Sequence, residues 1–178
     1  ALPILTLLRR DLHANPEIGF QEVRTASIVA GALEALGIEV HRGVGRTGVV
    51  GVIRGQRNDS GRSIGLRADM DALPILEENT VEYCSTTNGL MHACGHDGHT
   101  AILLGTAKYL AENKNFNGTA VFIFQPAEEG APNNEEGGAP LMIKEGVLKN
   151  PDVQTAMAQH VFPSMETGKV GFKSGMDD

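Results

Sequence analysis

Met91-His92-Ala93-Cys94-Gly95-His96-Asp97-Gly98-His99-Thr100 holds three of the chain's six histidines, a thiol and a carboxylate. Glycines at 95 and 98 let the backbone bend tightly enough for neighbouring side chains to converge. Ala101 to Leu110 then shows apolar residues at helical spacing, so the stretch reads as a ligand-bearing loop feeding a helix N-terminus. Asp97 is the expected N-cap, with the helix running to about Asn113.

Working outward, Ser63 to Ala68 reads as a strand that delivers R-A-D-M-D at its end. On extended chain, Asp69 and Asp71 occupy alternate positions and face the same side. The plainer alternative is a polar strand end with solvated acids. Gly118 to Phe124 is an apolar strand of the kind covered on both faces, and it ends in Q-P-A-E-E-G, with Glu128 and Glu129 just beyond. Thr155 to Ala158 is a short strand that hands over to Gln159 and His160. Helices are expected over 4–13 and 22–36, the second closed by Gly37, and strands over 38–40 and 48–54. A polar turn covers 56–61, irregular chain 76–90, and a Gly/Asn/Glu loop 131–138. A short helix over 140–147 carries Pro in its first turn, and one more strand is expected to begin over 168–173. This alternation argues for an α/β fold, a three-layer sandwich with a mixed, largely parallel central sheet. In such sheets, sites lie beyond the carboxyl ends of strands, where Asp69, Glu128, Glu129 and His160 all fall.

Composition narrows the function. A chain of 178 residues can bury one sizeable core. Net charge is −7 with no basic cluster, which argues against nucleic acid as a partner. No run approaches transmembrane length and no leader signature is present, so no membrane partner is expected. Two cysteines, Cys84 and Cys94, cannot build a disulfide framework, and a cytoplasmic, reducing setting follows. Cys84 reads as structural or incidental.

Cys94, His96, Glu129 and His160 offer a thiolate, two imidazoles and a carboxylate. That set suits zinc, manganese, cobalt or nickel. It suits calcium or magnesium poorly, since those ions favour oxygen. Glu128 and Glu129, adjacent on extended chain, are expected to point apart. A division of labour follows, in which one carboxylate coordinates and the other takes a proton from metal-bound water. The alternative is a solvated acidic loop. His92 and His99 either support the site through hydrogen bonds or simply pack, and packing is favoured for His92. Two rival readings stand beside the metal hydrolase. One is a cysteine hydrolase with Cys94 as nucleophile and His96 or His160 as base, which leaves both glutamates idle. The other is a non-catalytic metal-binding chain.

The segments L-R-R-D-L-H-A-N-P-E-I-G-F-Q-E, G-L-R-A-D-M-D-A-L-P-I, M-H-A-C-G-H-D-G-H-T-A, Q-P-A-E-E-G and A-x-Q-H-V follow one another along essentially the whole chain. In that order they resemble the metal-dependent N-acyl amino acid amidohydrolases. That family includes hippurate hydrolases, indole-acetyl-amino acid hydrolases and N-acetyldiaminopimelate deacetylases, a branch of the aminoacylase–carboxypeptidase superfamily. The resemblance implies a zinc-exopeptidase-like catalytic domain and a small-molecule N-acyl amino acid substrate. It implies two divalent transition ions held by Cys94, His96, Glu129 and His160, with Cys94 or His96 bridging them. Glu128 takes the place of the general base. Asp69 takes that of the acid that orients a ligand, with Arg67 where other branches carry a ligand histidine, and Asn15 replaces a histidine common in the first motif. The family's members are about twice as long. Their lid domain, often the dimer contact, is inserted after a segment matching Gly168 to Gly175, so the chain is expected to form the first part of a split catalytic domain.

Overall fold

The computed structural model describes residues 2–131 and 135–172. Among the described residues there are nine elements. Helices α1 (Leu2–Ala14) and α2 (Val23–Ala35) come first, followed by strands β1 (Glu39–Val44), β2 (Gly48–Arg54) and β3 (Ser63–Asp69). Helix α3 (His96–Glu112), strand β4 (Thr119–Gln125), helix α4 (Gly138–Lys144) and strand β5 (Thr155–Ala158) complete the order.

Thr-Ala-Val-Phe-Ile-Phe-Gln is rich in residues that favour strands, and every one of the seven residues of β4 is buried. It lies inside a five-stranded sheet of order β1-β2-β4-β3-β5. The β1–β2 and β2–β4 pairs are antiparallel, and β3–β4 and β3–β5 are parallel. The α/β expectation therefore holds, with a mixed sheet whose parallel part is β4, β3 and β5. That parallel part brings the carboxyl ends of three strands to one edge, which is what assembles the site.

Side chains alternate across β4 with the two-residue period of a strand. Phe122 and Phe124 meet Val29 and Leu33 of α2 and Leu103 and Leu104 of α3 on one face. Val121 and Ile123 meet Val50, Val52 and Met142 of α4 on the other. Helices thus cover both faces, as the three-layer expectation requires, and each fully buried Phe contributes about 1.5–3 kcal/mol by leaving water. α1 lies against α3 on the outside of the first layer.

Three local expectations change. β1 extends to Val44, past the expected end at 40, because Arg42 and Val44 continue pairing with β2 across an irregularity at Gly43. The strand expected to begin at 168 does not form over the described residues. Val170 and Phe172 are 94% and 96% exposed, with no strand pairing against them among the described residues, and Lys173 lies outside the described residues. Gly98 is not part of a bend. It sits within the first turn of α3, where an added Cβ would meet nothing within 4 Å.

The start of α4 presses on the exit of β4. A Cβ on Gly138 would lie 1.8 Å from the Pro126 carbonyl oxygen. Gly138→Ala is expected to lower unfolding stability by about 1–3 kcal/mol through overpacking, read as a drop in the urea midpoint. Gly31→Ala, in the exposed middle of α2 with nothing within 4 Å, is the control and should gain about 0.5–1 kcal/mol.

Candidate metal centre

His96 is the first residue of α3 and the centre of the site. Its N-cap is Gly95 at φ +87°, a left-handed conformation that suits glycine, and a Cβ there would lie 2.4 Å from Val161. The expected cap, Asp97, does not cap the helix. Its buried carboxylate instead accepts from His13 Nδ1 at 2.7 Å and pairs with Arg9 Nε at 2.8 Å, tying α1 to the N-terminus of α3.

His96 is 1% exposed, and its Nδ1 donates to the Asp71 carbonyl oxygen at 2.8 Å. Its Nε2 is buried and has no hydrogen-bond partner. Around that nitrogen stand Asp69 Oδ2 at 3.6 Å, Glu128 Oε2 at 3.7 Å and Glu129 Oε1 at 3.7 Å. Burial disfavours the imidazolium, but Asp71, Asp69 and Glu129 outweigh it and raise the His96 pKa. Beside this group, Cys94 Sγ lies 3.3 Å from His160 Nε2, and His160 Nδ1 donates to the Val161 carbonyl oxygen at 2.8 Å. The second ring nitrogen of each of these two histidines is therefore left with its lone pair facing the cluster.

The donor atoms of Cys94, His96 and His160 lie within 4.8 Å of one another, as do those of His96, Glu128 and Glu129. Ligand atoms on a tetrahedron with bonds of about 2.1 Å are separated by about 3.4 Å, close to the contacts found here. A set of acceptors and lone pairs crowded at this spacing around an unpartnered buried nitrogen fits a divalent cation. Asp69, His96 and His99 are equally close, yet both nitrogens of His99 are already engaged. Its Nδ1 donates to Asp69 Oδ1 at 2.7 Å, and its Nε2 accepts from the Val161 N–H at 3.0 Å. His99 therefore braces the segment that carries His160 and is not a ligand.

Asp69 carries a dense set of partners. It accepts from His99 and from Arg67 at 2.6 Å, while Arg67 also donates to Gln125 at 2.8 Å. Burial would raise the Asp69 pKa, but the His99 hydrogen bond and the Arg67 charge bring it down to about 2. The Nδ1 side of His96 faces Asp71. Asp71 holds His96 Nδ1 through its carbonyl, brings a carboxylate oxygen to 3.3 Å, and accepts the Glu129 N–H at 2.9 Å. The alternation of Asp69 and Asp71 placed both acids on the right side, but their targets come from elsewhere in the chain.

The two glutamates do not point apart. Ala127 takes φ +44°, the chain leaves extended geometry, and both carboxylates turn towards His96. His92 packs, 4% exposed, with burial pushing its pKa down to about 4. Cys94 is pushed up to about 11 by burial and by the Glu129, Glu128 and Asp69 carboxylates, the opposite of an activated thiolate nucleophile. An open pocket of about 560 Å³ adjoins Cys94 and His160, walled by Tyr83, Met91, His92 and Phe162.

Residues 65–175 match Peptidase family M20/M25/M40. The chain is 46% identical over 168 residues to the hippurate hydrolase of Campylobacter jejuni, covering 94% of this chain and 42% of that protein. It is 46% identical over 169 residues to an N-acyl-L-amino acid amidohydrolase of Geobacillus stearothermophilus, covering 94% and 43%. A crystal structure of the Bacillus subtilis YXEP protein, described as a dinuclear metal binding peptidase from the M20 family, superposes with TM-score 0.88. Its sequence identity is 41%, over 97% of this chain and 47% of that one. The chain thus spans under half the length of these relatives.

A depressed carboxyl pKa stabilises the fold above the unfolded value and loses that contribution as pH falls through the folded one. In metal-free protein, Asp69→Asn should therefore cost most above about pH 4, the unfolded range of aspartate. The gap to wild type should close towards a pH of about 2, as read from urea midpoints across the acid range.

Proposed function

The chain belongs to peptidase family M20/M25/M40, and on that premise we propose that it acts as a metal-dependent amidohydrolase on the amide bond of N-acyl amino acids. The observation that carries this reading is the unpartnered, buried Nε2 of His96 facing three carboxylates beside the Cys94–His160 pair. The similarity to amidohydrolases and to a dinuclear metal binding peptidase supports it.

Cys94, His96, Glu129 and His160 would hold two divalent transition ions, zinc or manganese foremost, with cobalt or nickel also suited to the donor set. His96 would offer its Nε2, since its Nδ1 is engaged, and Cys94 and His160 would offer donors beside it. When bound, the ions supply Lewis acidity at the acyl oxygen and lower the pKa of a coordinated water towards about 7.

The residues of the chain divide the remaining work. Glu129 faces the thiol, is held at its N–H by Asp71, and its side chain is 23% exposed, which suits a ligand. The Glu128 side chain, at 39%, is the more open carboxylate and suits a proton carrier. Glu128 takes a proton from the attacking water and delivers it to the leaving amine nitrogen. Asp71 orients His96, while Asp69, bearing the charge of Arg67, fixes His99 and through it the chain around His160. The pocket beside Cys94 and His160 has room for one side of a small-molecule substrate. A reducing cytoplasm keeps the thiol available. A lid domain and a dimer contact through it would come from the part of the relatives that this chain does not span.

Glu128→Gln is expected to retain both ions and lose about 10²–10⁴-fold in kcat. Metal content by mass spectrometry and turnover of N-acetyl and N-benzoyl amino acids by the complete protein check this. Loss of metal in that variant would reverse the roles of the two glutamates. Chelation should abolish turnover, and Mn²⁺ or Zn²⁺ should restore it. Activity that survives chelation would return the reaction to Cys94 and end the metal reading.

A further inference from the structure

Glu22 is 0% exposed at the start of α2, yet its side chain does not cap that helix. Capping falls to Glu17, whose carboxylate accepts from the N–H groups of Arg24 at 2.9 Å and Thr25 at 2.8 Å. The Glu22 side chain turns away to the loop that follows β4. Its Oε1 accepts the Ala127 N–H at 2.8 Å, and its Oε2 accepts the Thr47 hydroxyl from the β1–β2 turn. The contact spans 105 residues of sequence.

Ala127 needs such a hold. At φ +44° it sits in the left-handed region, which is unfavourable for a residue with a Cβ. Gly19 backs it so closely that a Cβ there would lie 3.0 Å from both Ala127 Cβ and the Gly130 carbonyl oxygen. Two residues on, the Glu129 N–H is held by Asp71 at 2.9 Å. The N–H groups of the residues before and after Glu128 are thus each held by a buried carboxylate. A buried carboxyl whose partners are one amide and one hydroxyl is a poor source of net stability. What it secures is the direction of the loop.

We propose that Glu22 is a positioning residue: with Thr47 as its brace it clamps the Ala127 peptide and so sets the aim of Glu128 and Glu129 at the site. This rests on the roles assigned above to those two glutamates. The clamp itself can be read without turnover.

The test compares Glu22→Ala, Glu22→Asp and Glu22→Gln in the complete Mn²⁺-loaded protein. Amide hydrogen exchange over 126–130 is followed beside kcat and KM for an N-acyl amino acid. The Ala and Asp variants lose the reach to Ala127 and should exchange there at least about tenfold faster, with the sheet core unchanged. Their kcat should fall about 10–100-fold with KM within about threefold, the signature of a misplaced group. Gln keeps an acceptor for the Ala127 N–H and should stay within about threefold of wild type on both readouts. Unchanged exchange in Ala and Asp, faster exchange with kcat intact, or a Gln variant as impaired as Ala would each overturn the proposal. If Ala does not fold, Asp against Gln decides by the same criteria. An active Glu128→Gln would overturn the assignment of the base and leave the exchange result standing.

Discussion

A buried imidazole nitrogen without a hydrogen-bond partner, ringed by three carboxylates and flanked by a thiol–imidazole pair, is the constraint that governs this molecule. Burying ionised groups unpaired costs several kcal/mol each, and like charges at this spacing repel. The arrangement becomes favourable when a divalent cation stands among the donors. Arg67 neutralises part of the charge at Asp69, and the N-terminus of α3, where His96 sits, adds the positive end of a helix dipole. Glu128 and Glu129, which both face His96 Nε2, remain the carboxylate-rich side of the cluster.

The fold serves that constraint by bringing separate strand ends to one place. Parallel pairing of β4, β3 and β5 sets Asp69, the Glu128–Glu129 loop and His160 along one edge of the sheet. The left-handed turn at Gly95 then drops Cys94 and His96 into the gap. Beyond the donors lies a shell of polar anchors from the first quarter of the chain. His13 and Arg9 hold Asp97, Glu17 caps α2, and Glu22 reaches the loop after β4. The N-P-E-I-G-F-Q-E segment contributes no donor atom to the cluster, yet it touches the backbone on which the glutamates stand.

Much of this was legible in the residues. The β-branched and aromatic runs of β2 and β4, the helical spacing after Thr100 and the carboxylates and imidazole just past strand ends all follow from local periodicity and from where α/β sheets place their sites. The misreadings share a cause. Asp97 looked like a cap because Asp usually is one there, and its real partners, His13 and Arg9, lie over 80 residues away. Glu128 and Glu129 were expected to diverge because strand geometry was carried past Gln125, whereas a left-handed Ala127 ends it. Gly98, expected to help the backbone bend, is an ordinary helical residue. The 168–172 segment has strand-like residues, but pairing needs a neighbouring strand, which periodicity cannot supply.

By itself the sequence determined the candidate donors, the class of fold and the order of most elements, because chemistry and periodicity are properties of short stretches. Only the tertiary structure decided which acid serves which histidine: Asp71 on His96, Asp69 on His99. It alone turned both glutamates to one nitrogen and gave Glu22 its grip on Ala127. Those pairings depend on strand register and loop conformation across tens of residues, and hydrogen bonds of about 3 Å leave no trace in local composition.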